Sequence, residues 1–266
     1  MTAEIVERVR RSARYRDVDP ALVGRLAAEE LPRARNTDDA VKRVKRRLHQ
    51  AVGAFRGERR GDVLDDVRAA WHGDPTDATF RAACADVMRS HASTRERLAH
   101  IDTLYMAIWQ ATGVPATLLD VGCGLGPLAL PWMAIGDAPY LALDVDERPL
   151  AAVRDFFELI GQPGAVRTLD AIAQLPAESA DVALLLKLVP TLDRQDPGGA
   201  GRLLRGLGVR HAVVSFPARS LGGRGKGMER TYRDRIDRLV VETGRVTALA
   251  EVSVPNELVF LLTLDG

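Results

Sequence analysis

The stretch Leu118-Leu-Asp-Val-Gly-Cys-Gly-Leu-Gly-Pro-Leu128 decides the fold. An apolar run ends in Asp120, and glycines follow at positions 122, 124 and 126. A second apolar run, Tyr140-Leu-Ala-Leu143, closes in Asp144, 24 residues after Asp120. Strand, glycine-rich turn, helix, strand and acid, in that order, are how an open α/β sheet binds a nucleoside at the carboxyl ends of its strands. The glycines let backbone come close to a ligand, and the acid accepts hydrogen bonds from ribose hydroxyls. A dinucleotide fingerprint needs its third glycine at 127, where this chain has Pro127.

The order Gly-x-Gly-x-Gly, with an acid two residues before the first glycine, resembles motif I of class I S-adenosylmethionine (SAM) methyltransferases. The cofactor predicted from it is SAM; an NAD-type site or a plain tight turn is the alternative. Cys123 reads as a space-filler, because methyl transfer from SAM needs no thiol.

Working outward, short apolar runs occur at 117–121, 140–143, 181–186, 209–215, 247–254 and 258–264, with helical stretches between the earlier ones. This pattern predicts a doubly wound α/β domain. Pro255-Asn-Glu257 joins the last two runs as a closing antiparallel hairpin. Residues 1–110 read as helices. Asp19-Pro20 is an N-cap and first helical residue for a helix to about Leu31. Val41, Val44, Leu48, Val52 and Phe55 recur at helical spacing after Thr37, and the opposite face carries Lys42, Arg43, Lys45, Arg46 and Arg47. Gly57 to Gly61 reads as a charged turn, and further helices are expected at about 62–70, 77–91 and 94–111. Two domains follow: a basic helical domain over 1–110 and a cofactor-binding domain over 111–266.

The 266 residues carry a net charge of only +1, but the charge is unevenly spread. Residues 1–60 hold 16 Lys/Arg against 9 Asp/Glu, residues 61–201 hold 10 against 20, and residues 202–245 hold 11 against 4. Two basic segments around an acidic middle suit a polyanionic partner such as nucleic acid. The plainer reading is a solvated arginine-rich surface. No run of about 18 apolar residues argues for a membrane span. The first residues alternate charge and lack an apolar signal core. Two cysteines, Cys84 and Cys123, give neither a disulfide framework nor a zinc cluster. A cytoplasmic protein without a metal is expected.

Three further segments carry chemistry. In His91-Ala-Ser-Thr-Arg-Glu-Arg97, Ser93 and Glu96 fit a capping box. That leaves His91, Arg95 and Arg97 unexplained, and a guanidinium suits the free carboxylate of SAM. Ala180-Asp-Val-Ala-Leu-Leu-Leu-Lys187 places a lysine at the end of a buried strand, over the ligand crevice or snorkelling to solvent. Ser215-Phe-Pro-Ala-Arg-Ser-Leu-Gly-Gly-Arg-Gly-Lys-Gly-Met228 is a cationic, glycine-rich loop at the same edge, suited to phosphates. Phe216 is placed either to stack on a base or to fill the core. No nucleophile–base pair is visible.

Together these segments are similar to the aminoglycoside-resistance 16S rRNA methyltransferases of the Arm/Rmt type. The matching text is Asp39-Ala-Val-Lys-Arg-Val-Lys-Arg46 with Gly53-Ala-Phe55, His91-Ala-Ser-Thr-Arg-Glu-Arg-Leu98, and Gly122-Cys-Gly-Leu-Gly-Pro-Leu-Ala129 with Pro131-Trp-Met133. It continues in Leu184-Leu-Leu-Lys187, Phe216-Pro-Ala-Arg-Ser-Leu-Gly222, Lys226-Gly-Met228 and Asn256-Glu-Leu258. The glycine motif is shared by many methyltransferases; the other texts are far more specific. Many relatives have Asn where this chain has Gly126, and Glu where it has Asp193.

The resemblance implies a class I fold with a mostly parallel seven-stranded sheet, and SAM-dependent methylation of N7 of guanine 1405 in 16S rRNA of the 30S subunit. It implies a SAM pocket formed by Phe55, His91, Ala92, Ser93, Arg97, Gly122, Asp144, Asp170, Ala171, Leu186 and Gln195. Within it Arg97 takes the methionine carboxylate, Asp144 the ribose and Asp170 the adenine amino group. Lys187, Asp193, Phe216, Arg224 and Lys226 face the target nucleotide. Lys42, Arg43, Lys45, Arg46 and Arg47 dock on the 30S particle, and a monomer is expected. The alternatives are N1 methylation of a nearby decoding-site adenine, a non-catalytic ribosome-binding factor, and a small-molecule methyltransferase.

Overall fold

The computed structural model describes residues 1–53, 63–217, 228–255 and 257–265. Helices α1 (Thr2–Arg10), α2 (Pro20–Glu30) and α3 (Thr37–Leu48) form a bundle with its own apolar centre, including Ile5, Val9, Leu22, Leu26, Val44 and Leu48. As the sequence predicts, the Asp19 carboxylate accepts from the Ala21 N–H at 2.9 Å, and Pro20 opens the helix where no amide partner is needed. Asn36 caps α3 in the same way, accepting from the Asp39 N–H at 2.9 Å. A π-helical turn, His49–Gly53, prolongs α3 and buries Ala51 and Val52.

The next helices are α4 (Asp65–Ala70), α5 (Ala78–Arg89), α6 (Ala92–Arg95) and α7 (Ile101–Thr112). Their apolar faces join the core of the sheet rather than the bundle. Val67, Phe80, Val87, Leu104 and Ile108 share one cluster with Leu118, Leu128, Tyr140 and Phe156. Packing therefore groups residues 5–52 by themselves and sets α4 to α7 against the sheet.

The sheet is built from β1 (Leu118–Val121), β2 (Tyr140–Asp144), β3 (Gly164–Thr168), β4 (Ser179–Leu186), β5 (Gly208–Pro217), β6 (Val246–Val254) and β7 (Glu257–Leu264). Between the strands lie α8 (Leu130–Met133), α9 (Glu147–Ile160), α10 (Val189–Gln195), α11 (Gly199–Gly206) and α12 (Met228–Thr243). Among the described residues, seven strands run in the order β3-β2-β1-β4-β5-β7-β6. All pairings are parallel except those of β7 with β5 and β6. This is the doubly wound sheet with a closing hairpin that the apolar runs predict.

One strand leaves no apolar run in the sequence. β3, Gly-Ala-Val-Arg-Thr, pairs only with β2 and stays largely exposed. An edge strand that sets only one side chain, Val166, against the core needs no apolar run, so its text reads as loop.

Register fixes the site. Val121 pairs with Leu143 and Asp120 with both Ala142 and Leu184, which brings the carboxyl ends of β1, β2 and β4 together. The bundle is pinned to that edge. The Asp19 N–H donates to the Val145 carbonyl and the Glu147 N–H to the Asp17 carbonyl, both at 2.8 Å. Replacing Asp19 by Ala removes the α2 cap and should cost about 1 kcal/mol of stability. Urea unfolding measures this, and an unchanged midpoint contradicts the capping role.

Candidate functional site

A cleft of about 800 Å³, its open mouth included, lies over the carboxyl ends of β1, β2 and β4. Its floor is the glycine turn. Gly122 and Gly124 hold φ of +70° and +52°, a region that side chains disfavour. The Gly122 and Cys123 amides donate to the Leu143 carbonyl at 2.8 and 3.0 Å, drawing the turn onto β2. A Cβ on Gly124 would stand 2.9 Å from His91 Cε1, so the segment containing His91 rests directly on glycine.

Two carboxyls flank this turn. Asp144, at the end of β2, accepts from the Gly124 N–H at 2.9 Å and the Asp146 N–H at 3.0 Å. Burial raises it to about 6. Asp120 accepts the Tyr140 hydroxyl at 2.8 Å and lies deeper, where burial raises it to about 7. Burial, with the Arg97 charge nearby, lowers His91 to about 4, so its ring is neutral near pH 7. The His91 Nδ1 meets the Ser93 hydroxyl at 2.9 Å.

The far end of the cleft is walled by Leu169, Asp170, Ala171, Leu192 and Gln195, and by Leu22, Ala51 and Val52 of the bundle. The bundle's contribution is the part sequence reasoning missed, apart from Phe55, which lies outside the described residues. Its signal is weak: ordinary apolar residues on a helix whose destination depends on tertiary contacts.

Behind the cleft sits a buried ionic cluster. Arg97 Nε donates to both oxygens of Glu257 at 3.2 Å, and the Lys187 ammonium lies 3.8 Å from the same carboxylate. Lys187 also donates to Glu96 at 2.5 Å and to the Ser93 carbonyl at 3.4 Å. The Ser215 hydroxyl donates to Glu257. Against the cost of burial, the charges of Arg97 and Lys187 hold Glu257 below the usual carboxylate range. Burial pushes Lys187 below its usual value, with Glu257 opposing the shift. Lys187 has a φ of +59°, rare outside glycine, and is among the cleft-lining residues.

Of the positions expected to hold cofactor, His91, Ser93, Gly122, Asp144, Asp170, Ala171, Leu186 and Gln195 meet at the cleft. Ala92 and Arg97 stand outside its lining. Arg97 nonetheless keeps a buried Nη2 with no hydrogen-bond partner among the described residues. That atom, the glycine cradle and the two carboxyls suit a nucleoside cofactor that carries a carboxylate. The capping box does not form: α6 has no side-chain cap, Ser93 turns to His91 and Glu96 to Lys187.

Other expected residues are placed differently. Phe216 is fully buried, stacked on Tyr232 and edge-on to Phe260, so its ring fills the core instead of facing a base. It lies on β5, whose side chains between two packed layers go inward on both faces. Asp193 is held by Arg235 through two bonds of 2.6 and 2.8 Å, away from the cleft. Arg47 lies three residues after buried Val44, on the flank of the apolar stripe, and is turned inward to Glu29, Glu30 and the Gln195 carbonyl. Arg43 pairs with Asp39 and Glu30; Lys42 and Arg46 are exposed, and Lys45 is half-buried. Arg224 and Lys226, with the Gly57–Gly61 turn, lie outside the described residues.

Residues 11–261 match the family model described as ribosomal RNA methyltransferase (FmrO). A 16S rRNA (guanine(1405)-N(7))-methyltransferase of Frankia casuarinae is 39% identical over 96% of this chain and 91% of that protein. Its namesake in Micromonospora echinospora is 36% identical over 97% and 95%. Among solved structures, 16S rRNA methyltransferase RmtF in complex with S-adenosyl-L-homocysteine superposes with a TM-score of 0.82 at 33% identity, covering 99% of this chain and 98% of that one.

The raised value of Asp120 has a consequence for stability. The folded protein binds this proton more tightly than the unfolded chain, so the contribution is favourable at low pH. It is lost as pH rises from about 4 to about 7. Relative to Asp120→Asn, the wild type should therefore lose stability across that window. Parallel curves in chemical unfolding from pH 4 to 8 contradict the buried, raised carboxyl.

Proposed function

The chain belongs to the FmrO family of ribosomal RNA methyltransferases, and we propose that it methylates N7 of guanine 1405 in 16S rRNA of the 30S subunit, protecting the decoding site from aminoglycosides. The observation that carries this reading is the cleft itself. Asp144 lies between the glycine cradle and Asp170, beneath walls supplied by both the sheet and the bundle. The RmtF complex with S-adenosyl-L-homocysteine, the product of SAM-dependent transfer, supports SAM as the methyl donor.

In this reading the ribose lies at Asp144 and the adenine at Asp170, Ala171, Leu186 and Gln195. The buried Arg97 Nη2 takes the carboxylate, and His91, Ala92 and Ser93 close the methionine end with Gly122. Phe55, outside the described residues, is assigned to the same pocket by the family resemblance alone. SAM supplies an electrophilic methyl group on a sulfonium. Guanine N7 carries a lone pair and no proton, so the acceptor needs no general base. The chain's task is to orient the base and hold charge, and the cleft has carboxyls and cations suited to positioning. N7 points into the major groove of a helix, and turning the base out costs a few kcal/mol. Lys187, with Arg224 and Lys226 of the cationic loop, faces the nucleotide and offsets that cost. The helical region 1–110 docks on the particle through exposed Lys42 and Arg46 with Lys45, and the protein acts as a cytoplasmic monomer.

Two measurements test this reading. Purified protein incubated with methyl-labelled SAM should label 30S subunits and not 50S subunits. Borohydride and aniline should then cleave the 16S rRNA at guanine 1405, because N7-methylation labilises the base. Label without cleavage there points to another atom, such as N1 of a decoding-site adenine. No label at all favours a non-catalytic ribosome-binding protein. Lys226→Ala should leave SAM affinity unchanged and reduce labelling at least tenfold; equal loss of both places Lys226 at the cofactor instead.

A further inference from the structure

Arg25 does not line the cleft, yet it fixes two side chains that do. From α2 its Nε donates to Asp170 Oδ2 at 2.6 Å, and its Nη2 donates to Asp170 Oδ1 and Gln195 Oε1, both at 3.2 Å. Its Nη1 donates to Glu29 at 2.9 Å. The side chain keeps only 16% of its surface exposed. Arg47 supports the same seam, donating to the Gln195 carbonyl at 2.8 Å and to Glu29 at 2.6 Å. The Ile172 N–H adds a third bond to the Asp170 carboxylate, reaching Oδ1 at 3.2 Å.

These bonds decide what hydrogen-bonding groups remain for a ligand. A carboxylate has about four lone-pair sites, and the fork of Arg25 leaves capacity on Asp170 as an acceptor. Gln195 spends its carbonyl oxygen on Arg25, so its amide NH2 is the group left to donate. An acceptor beside a donor complements the edge of adenine, which offers an N6–H donor beside the N1 acceptor. Hypoxanthine offers the inverse, an O6 acceptor beside an N1–H donor. A site whose polar groups are fixed rejects the inverse pattern, because mismatched groups are left unpaired.

We propose that Arg25 is a positioning residue which, by holding Asp170 and Gln195 in one polarity, makes the cleft select adenine over hypoxanthine. This rests on the reading that adenine occupies the Asp170 end. It gives the basic bundle a role in cofactor choice, separate from docking on RNA.

The test is calorimetric titration of the full chain with S-adenosylhomocysteine and with S-inosylhomocysteine. Wild type should prefer the adenine form by at least about tenfold, the worth of one well-made bond. In Arg25→Ala, which frees the Gln195 amide to rotate, that ratio should collapse towards one, chiefly through weaker S-adenosylhomocysteine binding. Arg25→Lys keeps a cation but cannot span both partners, so its ratio should fall between the two. It also decides the matter if the alanine variant does not fold. An equal loss for both ligands, leaving the ratio unchanged, overturns the proposal and leaves the cofactor reading intact. Wild type that binds neither ligand overturns both.

Discussion

The Glu257 carboxylate is the point on which the site depends. It opens β7, is almost wholly buried, and takes hydrogen bonds from Arg97 and Ser215 with Lys187 close by. A carboxylate in that position is costly unless compensated by charge and hydrogen bonds. Here compensation comes from three separate parts of the chain: the stretch after α6, the end of β4 and the end of β5. Lys187 extends the cluster to Glu96 and the Ser93 carbonyl. The segment carrying His91 is thereby tied to the sheet edge, and His91 is set against Gly124. Removing one partner leaves the others buried and unpaired, so the cluster behaves as one unit.

A second set of charges ties the bundle to the other end of the cleft. Arg25 and Arg47 reach from α2 and α3 to Asp170 and Gln195, while backbone pairs join residues 17–19 to 145–147. The cleft is therefore not a property of the sheet alone. Its near end depends on a cluster around Glu257, its far end on arginines from a separate helical core, and the glycine turn lies between them.

Much of this was legible in the sequence. The apolar runs gave six strands, the glycines and Asp144 gave the ligand edge, and Asp19-Pro20 gave the start of α2. What stayed hidden depends on which distant residues meet. Arg25 and Asp170 are separated by 145 positions, and Arg97 and Glu257 by 160, so no local spacing announces either pair. Arg47 reads as one more cation on a basic face, until the position of Val44 shows that it flanks the buried stripe. Ser93 and Glu96 fit a capping box by local spacing, but Ser93 turns to the His91 ring two residues away and Glu96 to the distant Lys187. Phe216 had two readings, and burial between layers chose the core. Glu257 belongs to one of the family-specific texts, but a lone acid before an apolar run names no partner.

The most direct measurement is calorimetric titration of S-adenosylhomocysteine into Glu257→Gln, with thermal unfolding run alongside. The substitution keeps size but turns one acceptor oxygen into a donor and removes the charge that holds Arg97 and Lys187. If the cluster sets the near wall of the cleft, the folded variant binds at least about tenfold more weakly than wild type, the worth of one or two charge-assisted bonds. A folded variant with wild-type affinity contradicts the dependence of the site on Glu257.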